Sequence, residues 1–494
     1  MSVILLEHPR PKNSQRFEDV VNAPLSACLF TGYISSVLQK NKIEAEIINA
    51  NLSDWTIEQT VEDLASRCFS LLCVHVIYLW ERTQDVFDML SIIKEKDAKI
   101  HVNLYGYYPA FAYRDILRHV PYIDSITIGE PEFTTLDLAR SVLSGKYFSG
   151  QNIPGLASRD IGGKVTFCPR PSIQNLDLLP FPDRYESDLY RKKGIVTYIQ
   201  GSRGCYGQCT FCYLNSFYGQ IHQWRGRSAE NIFAELCMLH DKYDIQYFYF
   251  SDANFFGPGR EGKKRAIALA ELIVSSNRNI RFGYECRAND VDEGTLSRLV
   301  MAGLTHVFLG LESGDKASLR RFKKHITPDE NKRAIQLLRK YGIEPTFGFI
   351  MFEPNATLKS IRNNFEFLKE MEIMTTPAVT AHLLHHRQIL FQGTRDYQSA
   401  IRATEFNDTL FNYEAMYEIH DPKIEKLSGI ISGMCRNALL LLPETFNCVA
   451  NTHNTSFLKD LNNNLIIQFE DILSCFEKRQ EHFLPTEEGS EIRG

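Results

Sequence analysis

Short apolar runs and longer stretches of helical periodicity alternate along the first part of the chain. Residues 3–6 form a compact apolar run, and small and apolar residues recur at helical spacing over 24–38. The strand pattern repeats at 44–50, 70–77, 100–105 and 124–128, with helical stretches at 57–67 and 85–96. Short strands separated by helices predict a parallel, doubly wound sheet over residues 1–145. Such sheets bind ligands beyond the carboxyl ends of their strands.

The rhythm is lost over 146–194, where Gly150, Pro154, Gly162, Gly163, Pro169, Pro171, Pro180 and Pro182 punctuate the chain as they would an interdomain linker. Strand patterns return at 195–199, 246–251, 281–285, 306–311 and 344–351, with helical stretches between them. That succession predicts a full or partial (β/α) barrel over 195–396. Residues 397–494 read as mostly helical and polar. The expected fold class is therefore α/β: a Rossmann-like domain, a partial barrel and a helical C-terminal region.

Composition narrows the function. With 44% hydrophobic and 23% charged residues among 494, the chain is neither disordered nor repetitive. A formal charge of -5 gives no basic footprint for nucleic acid. No apolar run reaches the roughly 20 residues of a membrane span. The first residues, Met1 to Pro9, read as a strand and not as a signal peptide, so a cytoplasmic location is expected.

Of the 12 cysteines, nine stand singly, most of them in apolar runs where a thiol acts as a small hydrophobe. Cys205, Cys209 and Cys212 crowd together in Gly204-Cys205-Tyr206-Gly207-Gln208-Cys209-Thr210-Phe211-Cys212, a C-x3-C-x2-C spacing that follows a strand. A tetrahedral zinc site needs four ligands, and no second cysteine pair accompanies these three. A cubane binds one thiolate per iron, so three cysteines leave one iron open to a substrate or cofactor. Gly201, Gly204 and Gly207 suit the turns around a bulky inorganic core, and Tyr206 and Phe211 are placed to shield it from water.

This segment resembles the cluster motif of the radical S-adenosylmethionine (SAM) superfamily. Residues 1–397 resemble its subgroup with an N-terminal cobalamin-binding domain. The matching segments, in the family's order, are Leu179-Pro180-Phe181-Pro182-Asp183-Arg184, Trp224-Arg225-Gly226-Arg227-Ser228, and Phe248-Tyr249-Phe250-Ser251-Asp252-Ala253-Asn254-Phe255. The resemblance implies a [4Fe–4S] cluster on Cys205, Cys209 and Cys212, SAM chelating the open iron, and reductive cleavage to a 5′-deoxyadenosyl radical. It also implies an electron donor such as flavodoxin or ferredoxin. Candidate SAM contacts are Phe211 beside the cluster, Asp252, Arg287 for the carboxylate, and Glu312 and Ser313 in Gly310-Leu311-Glu312-Ser313-Gly314. Phe352 stands where the family has a glycine.

The same resemblance implies cobalamin at the carboxyl edge of the first sheet, with Gly106, Tyr107, Gly129 and Glu130 as candidate contacts. The segment Ile123-Asp124-Ser125-Ile126-Thr127-Ile128-Gly129-Glu130 matches the family closely. The loop Tyr105-Gly106-Tyr107-Tyr108-Pro109-Ala110 departs from it, carrying Tyr107 where a second glycine is usual and Pro109 and Ala110 where a histidine is usual. No D-x-H-x-x-G segment offers a histidine ligand, and His75 lies near the same edge. Three functions are open at this point. One is a methyltransferase acting on a small-molecule or natural-product intermediate. A second is a radical SAM dehydratase, cyclase, oxidase or rearrangement enzyme whose corrin site is altered or lost. The third is a non-catalytic iron–sulfur module.

Overall fold

The computed structural model describes residues 2–10, 29–145, 153–219, 224–403, 413–442 and 455–481. The chain forms two compact units. One comprises residues 1–308, 337–346 and 390–415; the other comprises 309–336, 347–389 and 416–494.

The first unit opens with a seven-stranded sheet of order β2-β1-β3-β4-β5-β6-β7. β1 (Val3–Glu7), β2 (Ala45–Asn49), β3 (Leu71–His75), β4 (His101–Tyr105) and β5 (Ser125–Thr127) run parallel. Helices α1 (Leu29–Lys40), α2 (Ile57–Ala65), α3 (Thr83–Lys96), α4 (Tyr107–His119) and α5 (Pro131–Leu143) connect and follow them. β1, β3 and β4 are buried along their whole length, as strands covered on both faces are. One apolar layer packs Val74, Val102, Leu104 and Ile116 together, and the other packs Leu5, Ile34, Leu71 and Leu138. The order reverses between β1 and β3, so the crevice of this sheet opens beside Glu7 and His75.

The stretch read as a linker is partly sheet. β6 (Leu156–Arg159) and β7 (Val165–Phe167) pair antiparallel and extend the sheet beyond β5. Their shortness, and the Asp160-to-Gly163 turn between them, hid the hairpin among glycines and prolines. The expected start of the first helix, 24–28, lies outside the described residues.

A second sheet has the order β14-β13-β12-β11-β8. β8 (Thr197–Ile199), β11 (Tyr247–Phe250) and β12 (Arg281–Arg287) run parallel within the first unit. β13 (Leu304–Glu312) passes from the first unit into the second at Phe308, and β14 spans Thr346–Phe349. The fully buried Phe248, Phe250, Phe282 and Tyr284 fill one face of β11 and β12. By strand alternation Tyr249, Gly283 and Glu285 take the other face. Between β8 and β11 a short ribbon pairs β9 (Ser202–Arg203) with β10 (Arg225–Gly226).

The second unit carries the helices Leu358–Glu370, Pro377–His385, Pro422–Leu440 and Thr455–Glu481, in line with the helical reading of the C-terminal region. Among the described residues no helix is long and apolar enough to cross a membrane.

Candidate active site

The three clustered cysteines lie on the loop that leaves β9, and all three are half-buried. Gly204 turns the chain at φ 79°, and Cys212 N donates to the Cys209 carbonyl at 3.4 Å. Gly207 N donates to Cys205 Sγ at 3.3 Å. A Cβ on Gly207 would stand 2.7 Å from Arg287 Nη1 and 3.4 Å from Cys205 Sγ, so a side chain there would displace the guanidinium. The Thr210 carbonyl accepts from Arg395 N and Asp396 N at 3.1 and 3.2 Å, and its hydroxyl donates to Asp396 at 2.9 Å. A helix at Arg395–Ala403 thus props the loop from behind, a role with no signal in the sequence pattern.

Among the described residues no three His, Cys, Asp or Glu side chains converge as ligands of one ion. In a cubane each thiolate binds its own iron, so the thiols of a cluster loop stand apart.

Arg203, two residues before Cys205, fastens the loop to the first sheet. It donates to Glu130 at 2.8 Å and Glu132 at 2.5 Å with its own side chain 1% exposed, and its guanidinium lies over the Phe30 and Tyr33 rings. Arg225, its partner across the ribbon, also donates to Glu130 at 2.9 Å, and Ile173 N donates to the same carboxylate at 2.7 Å. Glu130 is therefore fully engaged in an ion-pair knot. Although burial raises its pKa, the two arginines bring it below the usual carboxylate range. A second buried knot, Arg184–Glu235–Arg227, explains two of the sequence segments noted above: Arg184 and Arg227 donate to opposite oxygens of Glu235, each at 2.5 Å.

At the carboxyl end of β11, Asp252 Oδ1 accepts from Gly201 N at 2.7 Å. Its Oδ2 is buried and has no hydrogen-bond partner among the described residues. The neighbouring Ser202 hydroxyl is spent on the Asn254 carbonyl at 3.3 Å. Burial, opposed by Arg265 and Ser202, raises the Asp252 pKa to about 6. On β12, Glu285 is raised to about 7 by burial and by the Asp252 charge, with a hydrogen bond from Tyr249 opposing both. Tyr249 lies 5.9 Å from Tyr198 and 5.8 Å from the His306 ring, and His306 Nε2 is 3.1 Å from Thr346 Oγ1. Glu285, Tyr249 and His306 form a polar row that sequence reasoning missed, because single polar residues in strand patterns carry no spacing signal.

Arg287 closes β12 beside the cysteines. Its Nη1 lies 3.5 Å from Cys209 Sγ, its Nε donates to Asn289 at 3.3 Å, and its guanidinium sits 5.4 Å over the Tyr206 ring. Tyr206 in turn donates to Asp290 at 2.6 Å, and Asn254 donates to the other Asp290 oxygen at 2.7 Å.

The carboxyl edge of the first sheet reaches the cysteine loop through aromatic rings. Tyr107 lies 5.1 Å from Tyr213, the residue after Cys212, and 4.4 Å from Phe217. A Cβ on Gly129 would meet only the Phe217 carbonyl, at 3.7 Å, so the backbone there is open to close approach. The crevice beside Gly106 is filled. Glu7 accepts from Thr31 at 2.5 Å, pairs with Arg10 and lies 3.1 Å from His75 Nδ1, while Tyr105 stacks on His75. A Cβ on Gly106 would come within 3.0 Å of the His75 ring.

In the second unit Glu312 has φ 63°, a left-handed conformation that costs a non-glycine residue of order 1 kcal/mol and recurs at functional sites. Its Oε1 accepts from Lys324 at 2.7 Å. The Ser313 hydroxyl donates to Asn364 at 2.7 Å and accepts from Asp315 N at 3.0 Å, which ties it into a turn. Phe352, standing for the family's glycine, is wholly buried and pairs with Arg387 as an isolated bridge.

The residues present fit an iron–sulfur cluster with an open iron. Three half-buried thiols stand on one loop, and a glycine cradle lies against Cys205.

Comparison with known proteins agrees. The sequence model of the radical SAM superfamily matches residues 199–368. The chain is 27% identical over 376 residues to the uncharacterized methyltransferase PH0819 of Pyrococcus horikoshii, covering 76% of this chain and 79% of that protein. It is 27% identical over 357 residues to the anaerobic magnesium-protoporphyrin IX monomethyl ester cyclase of Rubrivivax gelatinosus, covering 70% of this chain and 62% of the cyclase. Among solved structures, the cobalamin-dependent SAM radical enzyme OxsB with aqua-cobalamin and SAM bound superposes with TM-score 0.79 at 20% identity, over 98% of this chain and 73% of that one. That likeness extends the shared fold to the N-terminal sheet as well as the barrel. Residues 199–368 thus match the radical SAM superfamily, and the fold of the chain, N-terminal sheet included, is similar to that of OxsB.

Proposed function

We propose that the chain is a radical SAM methyltransferase that uses cobalamin at the carboxyl edge of its first sheet and methylates carbon in a small-molecule or natural-product intermediate. The observation that carries this reading is the contact between Tyr107 and Tyr213, 5.1 Å between ring centroids, which sets the edge of that sheet against the residue following Cys212. A corrin over Gly129 and Tyr107 and a cluster on the cysteines would then share one space. The methyltransferase name of PH0819 supports the same reading.

Cys205, Cys209 and Cys212 would hold the [4Fe–4S] cluster, and Asp252 would take the polar part of SAM. Gly106, Tyr107 and Gly129 would border the corrin, while Glu130 positions the loop through Arg203. When bound, the cluster and SAM supply a carbon radical and cobalamin supplies the methyl group. The chain's own groups do the rest. Asp252 Oδ2 is available to accept a hydrogen bond from an ammonium group. Tyr206, Phe211 and Tyr213 limit water around the thiols, and Tyr249, Glu285 and His306 offer hydrogen bonds to a substrate. A flavodoxin- or ferredoxin-type donor would deliver the electron.

The test is reaction of the anaerobically reconstituted full chain with SAM, a reductant, hydroxocobalamin and a candidate substrate. Release of both S-adenosylhomocysteine and 5′-deoxyadenosine is expected; 5′-deoxyadenosine alone rejects methyl transfer.

One observation favours a second reading. The Glu7–His75–Arg10 cluster fills the crevice between β1 and β3 where a doubly wound sheet takes its ligand. A radical SAM cyclase, dehydratase, oxidase or rearrangement enzyme without corrin would suit a crevice so closed. Absence of a corrin band after incubation with hydroxocobalamin selects it.

A further inference from the structure

We propose that Arg287 serves the cluster through Cys209, holding its reduction potential up by an N–H···S bond and a fixed positive charge. The inference rests on the reading of Cys205, Cys209 and Cys212 as cluster ligands.

The geometry is specific. Nη1 lies 3.5 Å from Cys209 Sγ, and the residue as a whole is 5% exposed. Two neighbours hold the guanidinium in place. Asn289 Oδ1 accepts from Nε, the Tyr206 ring lies beneath at 5.4 Å, and Tyr206 is pinned by its bond to Asp290. Gly207 leaves room for the arrangement, since a Cβ there would stand 2.7 Å from Nη1 and displace it. The loop glycine and the strand-end arginine therefore form one device around the second cysteine.

The chemistry follows from charge. Reduction adds one electron to the cluster, and much of the added charge falls on its sulfurs. A guanidinium stays protonated at any working pH, and its charge acts strongly where water is excluded. A hydrogen bond to a ligating sulfur stabilises the reduced state over the oxidised one, which makes the potential less negative. The electron comes from an external low-potential reductant, and no proton need move. Arg287 is thus a positioning residue that acts through Cys209.

The experiment is a potentiometric titration of reconstituted full-length protein without SAM, followed by the electron paramagnetic resonance signal of the reduced cluster. Arg287→Gln is expected to lower the equilibrium constant for reduction tenfold or more, each tenfold being about 59 mV for a one-electron step. Arg287→Lys keeps the charge without the planar fork, and is expected to fall between Arg287→Gln and the wild type. If both variants carry full iron and titrate within about twofold of the wild type, the inference is overturned. It is equally overturned if Arg287→Gln weakens SAM binding but leaves the SAM-free potential unchanged, which would assign the guanidinium to the SAM carboxylate. Should Arg287→Gln fail to take up iron, Arg287→Lys decides by the same criterion. A wild-type chain that takes up no cluster refutes the functional reading itself, a result distinct from either of these.

Discussion

Arg203 donates to Glu130 across 2.8 Å, joining the strand that leads into the cysteine loop to the first turn of the helix after β5. Both side chains are almost wholly buried, with Glu132 and Arg225 completing the knot. Taking charges out of water is costly, and the pairs offset that cost only while every partner is present. The knot fixes the ribbon that leads into the cysteine loop against the carboxyl edge of the first sheet.

Removing one partner should therefore be expensive. Arg203→Met leaves Glu130 and Glu132 buried without their shared cation and is expected to cost about 3–5 kcal/mol. Calorimetry of the full chain should show the lower-temperature transition shifted down, and iron content after reconstitution should fall with it. An unchanged thermogram would refute a structural role for the pair.

Glu7 gives a prediction in pH. Burial alone would raise its pKa, but His75 and Arg10 bring it down to about 2. A depressed carboxylate contributes stability that is present above its unfolded value near 4.5 and is lost as pH falls through about 2. Glu7→Gln should destabilise the first sheet by about 3 kcal/mol at neutral pH. The gap between the two proteins should narrow steadily below pH 4.5, as followed by circular dichroism during urea unfolding.

Asp252 has the opposite sign. Its pKa is raised to about 6, so the neutral form suits the folded state. Its stabilising effect is complete below the unfolded value of 3.8 and is lost as pH rises through about 6. Asp252→Asn cannot ionise and should escape that loss, which a shift of this size puts at up to about 3 kcal/mol. Unfolding curves of the two proteins from pH 4 to 8 should diverge in favour of the variant as pH rises. Parallel curves would show that the carboxyl is already compensated.

How much of this was legible beforehand depended on the kind of signal. β1 and β3 carry apolar runs and were readable to within two residues, because a strand buried on both faces leaves little other pattern, whereas β4 sets His101 and Asn103 among its apolar residues. The hairpin of β6 and β7 was hidden because strands of four and three residues between glycines look like linker. The cysteine loop was legible because its spacing is local. Glu130 was noticed for the right segment, yet its partners Arg203 and Arg225 lie 73 and 95 residues away, beyond any local pattern. The same holds for Thr210 and Asp396, and for the row of Tyr249, Glu285 and His306, which only the pairing of strands assembles.

The most direct measurement is 5′-deoxyadenosine formed on reducing the reconstituted full chain with SAM, alongside Cys205→Ser treated identically. The wild type should carry iron and sulfide and release 5′-deoxyadenosine, and the variant should release none above background. Wild-type protein that binds zinc in place of the cluster, or that carries the cluster and leaves SAM intact, would contradict the account.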